Sequence, residues 1–197
     1  MASVTGIVGG LVLTNSPGGN PVDYRIAATG GIQSGYGTAI YENSPVKISG
    51  GYLVAAVGTA SGDNTGGIVG TFMGVEYTDS NSVRQYSNWW PASTTGTNIV
   101  AYYSQNPYIT YNVQANGSLA QTTLGYEVDF ANVSGSTTTG ICSGTVNAST
   151  AVGNGTQRLL QIVGLIPGAD NAWGDAYTIV QVRIAAHQFV SAVTGIS

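Results

Sequence analysis

Charge is what this sequence has least of. Asp, Glu, Lys and Arg make up 7% of its 197 residues, where a soluble domain ordinarily carries roughly 25%. Arg25, Lys47, Arg84, Arg158 and Arg183 are the only basic side chains, and nine carboxylates bring the formal net charge to −4. A polyanion is held by several clustered cations that release counterions from its phosphates. Five dispersed cations do not make such a patch, so no nucleic-acid partner is expected.

Reactive and metal-ligating groups are equally sparse. One cysteine, Cys142, excludes an internal disulfide framework, and with His187 as the only histidine a zinc site of nitrogen and sulfur ligands cannot be assembled within one chain. No apolar run approaches the ~20 residues that span a bilayer. The stretch from Ile7 to Leu13 is broken by Gly9 and Gly10 and follows no basic segment, so no secretory leader and no membrane partner are expected.

What is present is glycine (29 residues), threonine, serine and apolar residues, the last at 43%. That apolar content is too high for a disordered chain, and the glycine content implies many turns. Sustained helical periodicity is missing. Short stretches of period two recur instead, so the expected fold class is all-β.

Individual segments carry this reading. Val22, Tyr24 and Ile26 alternate with Asp23 and Arg25; Tyr126, Val128 and Phe130 alternate with Glu127 and Asp129, which places those carboxylates on a solvated face. Ile109, Tyr111 and Val113 form one face of a strand, and the following Asn116-Gly117 predicts a two-residue hairpin turn. Gly50-Gly51 predicts a second hairpin, with Val46 and Ile48 inward and Lys47 outward. The longest expected strand lies within 176–189, with Val180, Val182 and Ile184 facing one way.

The organisation expected from these patterns is an extended N-terminal arm over 1–21, a first β unit over 22–98 that includes a Trp-bearing connector, and a second β unit over 99–197. Between 131 and 156 the Ser, Thr, Gly, Asn and Val content suits an exposed meander.

Candidate chemistries are few. Gly140-Ile141-Cys142-Ser143-Gly144 has the spacing of a nucleophile elbow, but that device sits between a strand and a helix, and no helix is expected there. Glu127 and Asp129 have the residue types of a glycosidase pair, though alternation assigns them to the polar face. Asp170 to Asp175 could offer oxygens to calcium, yet lacks the helical calcium-loop spacing and reads better as a capped turn. No enzyme, metal or cofactor is expected. Trp89-Trp90 is the conspicuous local feature: the rings either plug a local core or anchor a partner surface, and a sugar platform is a third use.

The segments NSPVKISGGYLVAAVG and GGIVGTFMGVEY, and the pair YITYNVQANGSLAQTTLG and NAWGDAYTIVQVRIAAHQF separated by RLLQIVGLIPGAD, resemble the capsid decoration, or cement, proteins of tailed bacteriophages over most of residues 40–189. The resemblance implies small β-barrel or β-tulip-like units, a place on the outer capsid surface of the virion, and the major capsid protein as partner. It also implies a homotrimer and no catalysis. Expected contact residues are Ile7, Leu11 and Leu13 on the arm, with Trp89 and Trp90. The alternative expectation is a fibre, adhesin or carbohydrate-binding β module, motivated by the tryptophans and twelve tyrosines.

Overall fold

The computed structural model describes residues 9–15, 28–56, 67–131, 134–153 and 157–190. These form thirteen strands: β1 (Val12–Asn15), β2 (Ala28–Gly30), β3 (Pro45–Ser49), β4 (Tyr52–Ala55), β5 (Gly70–Thr78), β6 (Arg84–Ser87), β7 (Thr97–Tyr103), β8 (Thr110–Gln114), β9 (Glu127–Val128), β10 (Phe130–Ala131), β11 (Thr145–Val146), β12 (Leu160–Leu165) and β13 (Ile179–Ile184). Among the described residues the helical turns at Gln121–Thr123 and Ala148–Thr150 are single 3-10 turns. The all-β expectation therefore holds.

One sheet has the order β2-β7-β5-β3-β4, with β6 also paired to β5; a second runs β1-β8-β13-β12-β9; β10 and β11 form a small third. All strand pairs are antiparallel. None of these sheets closes into a barrel. The first order ends at β2 and β4 and the second at β1 and β9, so the architecture differs from the barrel that the resemblance implies.

The β3–β4 hairpin shows how sequence sets local form. Gly50 and Gly51 adopt φ of 59° and 83°, the two positive angles that a tight turn between twisted strands needs. That turn pairs Ser49 with Tyr52 and Ile48 with Leu53. The free amide and carbonyl of Ile48 then point to the far edge of β3. There the Gln188 side chain meets both: Ile48 N donates to Gln188 Oε1 at 2.7 Å and Gln188 Nε2 donates to Ile48 O at 3.0 Å. A single side-chain amide thus satisfies an edge that would otherwise be open.

β5 organises the first sheet. It pairs with β7 along one edge, and with β3 and then β6 along the other. Gly70 opens it at φ 155°, where an added Cβ would lie 1.8 Å from the Ser104 carbonyl oxygen. Backbone cannot yield as a flexible side chain does, so Gly70→Ala is expected to cost about 3 kcal/mol or more, as strain adds to overpacking. Urea unfolding midpoints of the two proteins measure this directly.

Two apolar clusters form the interior. The first gathers Ile32, Ile40, Val46, Leu53, Val69, Phe72, Val75, Trp90, Ala101 and Tyr103. The second is built mainly on inward faces of β8, β12 and β13, including Ile109, Tyr111, Val113, Ile162, Val180, Val182 and Ile184. Leu11 and Ile68 also belong to this second cluster. The division at 98 is thus displaced in space: β7 crosses it and lies in the first sheet, while N-terminal residues complete the second core. Between the clusters, Ser104 Oγ lies 2.9 Å from Tyr111 Oη and 3.1 Å from Thr71 Oγ1. Burial pushes the Tyr111 phenol up to about 12, so it stays a neutral hydrogen-bonding group.

Two local expectations fail. Asn116-Gly117 does not reverse the chain into a hairpin. β8 pairs instead with β1 and β13, while Asn116 N donates to Val146 O and Asn116 Oδ1 accepts from Ala148 N, each at 2.9 Å. The turn-forming residue is thus used to hold a distant segment. The terminal strand is also shorter than expected, six residues in β13 against nine in β5, although its inward face of Val180, Val182 and Ile184 is as read from the alternation. The stretch at Val22 to Ile26 lies outside the described residues.

Candidate functional site

The expected contact residues disperse. Leu11 is fully buried in the second core and Leu13 packs half-buried against it. β1 is a strand of the second sheet, paired through Val12 with Asn112 and through Leu13 with Tyr111. This part of the arm therefore docks on its own chain, because its alternate apolar residues find the open flank of β8. Ile7 lies outside the described residues.

Trp90 is 0% exposed in the first core, edge-on to Tyr77 with centroids 5.2 Å apart. Its backbone exchanges hydrogen bonds with Ile40 in both directions, at 2.8 and 3.0 Å. Trp89 is half-buried and stacks on Tyr41 at 5.5 Å and 5°. Of the two readings, Trp90 takes that of a core plug, and one face of Trp89 is covered by Tyr41 of the same chain. Trp90 is therefore withdrawn from the surface, while Trp89 keeps partial exposure.

The reactive groups are closed off. Cys142 is 0% exposed; burial pushes its thiol up, while Gly144 N donates to Sγ at 3.2 Å. A buried thiol with a raised pKa is a poor nucleophile. The expected result is that Cys142 resists a disulfide reagent in the native protein and reacts fully in urea, read from thiol absorbance. His187 is 5% exposed, with Nε2 3.1 Å from Gln105 O and Nδ1 accepting from Phe189 N at 3.1 Å. Burial moves its pKa down, so the imidazole is neutral.

The carboxylates depart most from expectation. Glu127 is 0% and Asp129 3% exposed, so the solvated-face reading is corrected. β9 is covered on both sides: Leu160 and Gln161 pair with it from β12, and Val152 forms a bridge to Glu127. Glu127 Oε2 accepts from Arg158 N at 2.6 Å and Gln157 Nε2 at 3.1 Å, while Arg158 Nη1 donates to Asp129 Oδ2 at 2.9 Å. Glu127 Oε1 and Asp129 Oδ1 are buried without a hydrogen-bond partner. Burial raises the Glu127 pKa against the opposing pull of the Arg158 amide and the Arg183 charge. This is an internal brace, and no substrate reaches a carboxylate that is fully covered.

In the segment from Asp170 to Asp175, Asp175 Oδ2 accepts from Ala172 N at 2.8 Å. Asn171 joins the Ile166 and Ile179 backbones through three hydrogen bonds of 2.8–2.9 Å. This is the capped turn of the simpler reading. Among the described residues no three His, Cys, Asp or Glu side chains converge as a metal site, and no helix is long and apolar enough to cross a membrane.

Among the described residues, few of those that face solvent are charged. Large apolar side chains stand exposed at Val12 on β1, Tyr52 beside the β3–β4 turn, Val83 before β6, Tyr108 before β8 and Phe189 after β13. Three of the cations are drawn inward or across the surface: Arg158 to Asp129, Arg84 to Glu76 at 2.6 Å, and Arg183 Nε to Gln161 Oε1 at 2.8 Å. Sequence reasoning missed the tyrosines of β6 and β7, Tyr86 and Tyr102, which line an open groove with Glu76. Their signal was the alternation in VRQYS and NIVAYY, which places one residue of each pair outward.

Fold and surface together define an all-β protein of open antiparallel sheets with a sparsely charged exterior over the described residues. No family model, curated protein or solved structure matches the chain.

Proposed function

We propose that this chain is a structural virion protein that binds the outer surface of an assembled capsid, strengthens contacts between major capsid protein subunits, and acts as a homotrimer without catalytic activity. The observation that carries this reading is the exterior, where large apolar side chains remain exposed on a surface with few charges. Burying such a surface has little desolvation cost, whereas buried ion pairs often barely break even. β1 and β2 each end a sheet order, and a terminal strand can take up a neighbour's strand through backbone hydrogen bonds. The sequence resemblance to decoration proteins supplies the partner. Repetition over many shell sites then multiplies a modest interface, and trimerisation adds to it.

The test is sedimentation of the purified chain with capsids that lack it. The expected result is co-sedimentation that saturates at a fixed ratio to the major capsid protein, together with a trimer mass for the free protein in sedimentation equilibrium. A chain that stays in the supernatant at every concentration overturns the capsid reading, and a monomer mass overturns the trimer.

A further inference from the structure

The outer face of the first sheet carries a groove of about 440 Å³ lined by Met73, Gly74, Glu76, Tyr86, Ser87 and Tyr102, among others. The strand register explains it. Glu76 on β5 is paired with Tyr86 on β6, and Gly74 with Tyr102 on β7. The two tyrosines thus stand on either side of β5 with the carboxylate near them. Gly74, at a register shift in β5, contributes no side chain and leaves the floor low. The volume is within the ~300–1,000 Å³ of small-molecule sites.

Its chemistry selects among ligands. Tyr86 is 71% exposed, and Arg84 lies over it with Cζ 5.6 Å from the centroid. Arg84 Nη2 also donates to Glu76 Oε1 at 2.6 Å, and that guanidinium, with a smaller effect of the Tyr102 hydroxyl, holds the carboxylate below its ordinary pKa. Aromatic walls beside a lone carboxylate would suit a cation, but here the guanidinium already neutralises it. The same ion pair offers an anion no net charge either. A neutral ring with an apolar face and hydroxyls at its edge fits both features: the face lies on tyrosine, and a hydroxyl donates to the remaining lone pairs of Glu76.

We propose that this groove is a binding site for a neutral sugar, a hexopyranose residue at the end of or within a glycan. It is independent of the capsid contact proposed above. A chain fixed to a particle by other surfaces would thereby present many weak sugar sites, each of which gains from the others through effective concentration.

Amide ¹H–¹⁵N spectra of the full chain, titrated with glucose, galactose, mannose, N-acetylglucosamine and their β-linked disaccharides, test this. Choline and inorganic phosphate serve as charged comparators. At least one sugar is expected to give saturable shifts at Gly74, Glu76, Ser87 and Tyr102, with a dissociation constant on the order of 1 mM. Tyr86→Ala is expected to weaken binding about tenfold with an unchanged thermal midpoint, as suits a ring that is largely in solvent, and Tyr86→Phe retains it. The proposal is overturned if no sugar shifts these amides, if shifts persist undiminished in Tyr86→Ala, or if only choline or phosphate binds there. Co-sedimentation with capsids is read separately, so failure here leaves the capsid reading untouched.

Discussion

Trp90→Ala is expected to lower the unfolding free energy by about 3–5 kcal/mol, the range for deleting a large aromatic from a packed core. Trp90 is fully buried among Ile40, Val46, Phe72 and the other residues of the first cluster. It is pinned by paired backbone bonds to Ile40, so the neighbours have little freedom to collapse into the space left behind. The indole Nε1 has no acceptor. Trp90→Phe is therefore expected to cost much less than the alanine variant, because it fills much of the volume and removes a buried unpaired donor. Trp89→Ala, which loses one half-buried stack on Tyr41, is expected to cost about 1 kcal/mol. Urea unfolding monitored by circular dichroism ranks the three. An alanine cost at Trp90 no greater than that at Trp89 would remove the core-plug assignment.

The second large effect is expected at Arg158. Its guanidinium meets Asp129 at 2.9 Å while its amide donates to Glu127. Arg158→Ala leaves the buried Asp129 without that cation while the main-chain amide still serves Glu127, and breaking a buried pair from one side typically costs about 3–5 kcal/mol. Urea midpoints of the variant and the parent at neutral pH measure the loss. Glu127 sets a pH dependence of its own. Its folded pKa lies above the ordinary 4.5 because burial disfavours the charge, so the folded protein binds this proton more tightly than the unfolded chain does. Its contribution to stability is present below the ordinary carboxylate range and is lost as pH rises through the folded value. Glu127→Gln cannot ionise, so the variant should gain stability relative to the parent between pH 4 and pH 7. Urea midpoints at both ends of that range give the sign, and a relative loss would contradict the assignment.

Much of the fold was legible because a strand exposes its pattern locally. Ile109, Tyr111 and Val113 share a face by alternation alone, and Gly50-Gly51 specifies its turn through two positive φ angles. The candidate site was less so. Nothing in YEVDF reveals that Val152 bridges to β9 on one side while β12 covers the other, so Glu127 and Asp129 resemble an ordinary solvated face. Likewise, Tyr86 and Tyr102 are sixteen positions apart in the sequence, and only their separate pairing with β5 brings them to one groove.

The sequence by itself determined the all-β class, the inward faces of β8 and β13, the β3–β4 turn and the scarcity of charge, since each follows from backbone alternation, glycine conformation or composition within a short stretch. Only the tertiary structure decided that β8 would pair with β1 and β13, that Leu11 would complete a core built mostly from later residues, and that a carboxylate pair would be sealed around Arg158. Those outcomes depend on which distant segment covers each strand's second face and edge. Burial and backbone pairing are settled between segments, and a strand's own residues state its preference without naming its neighbour.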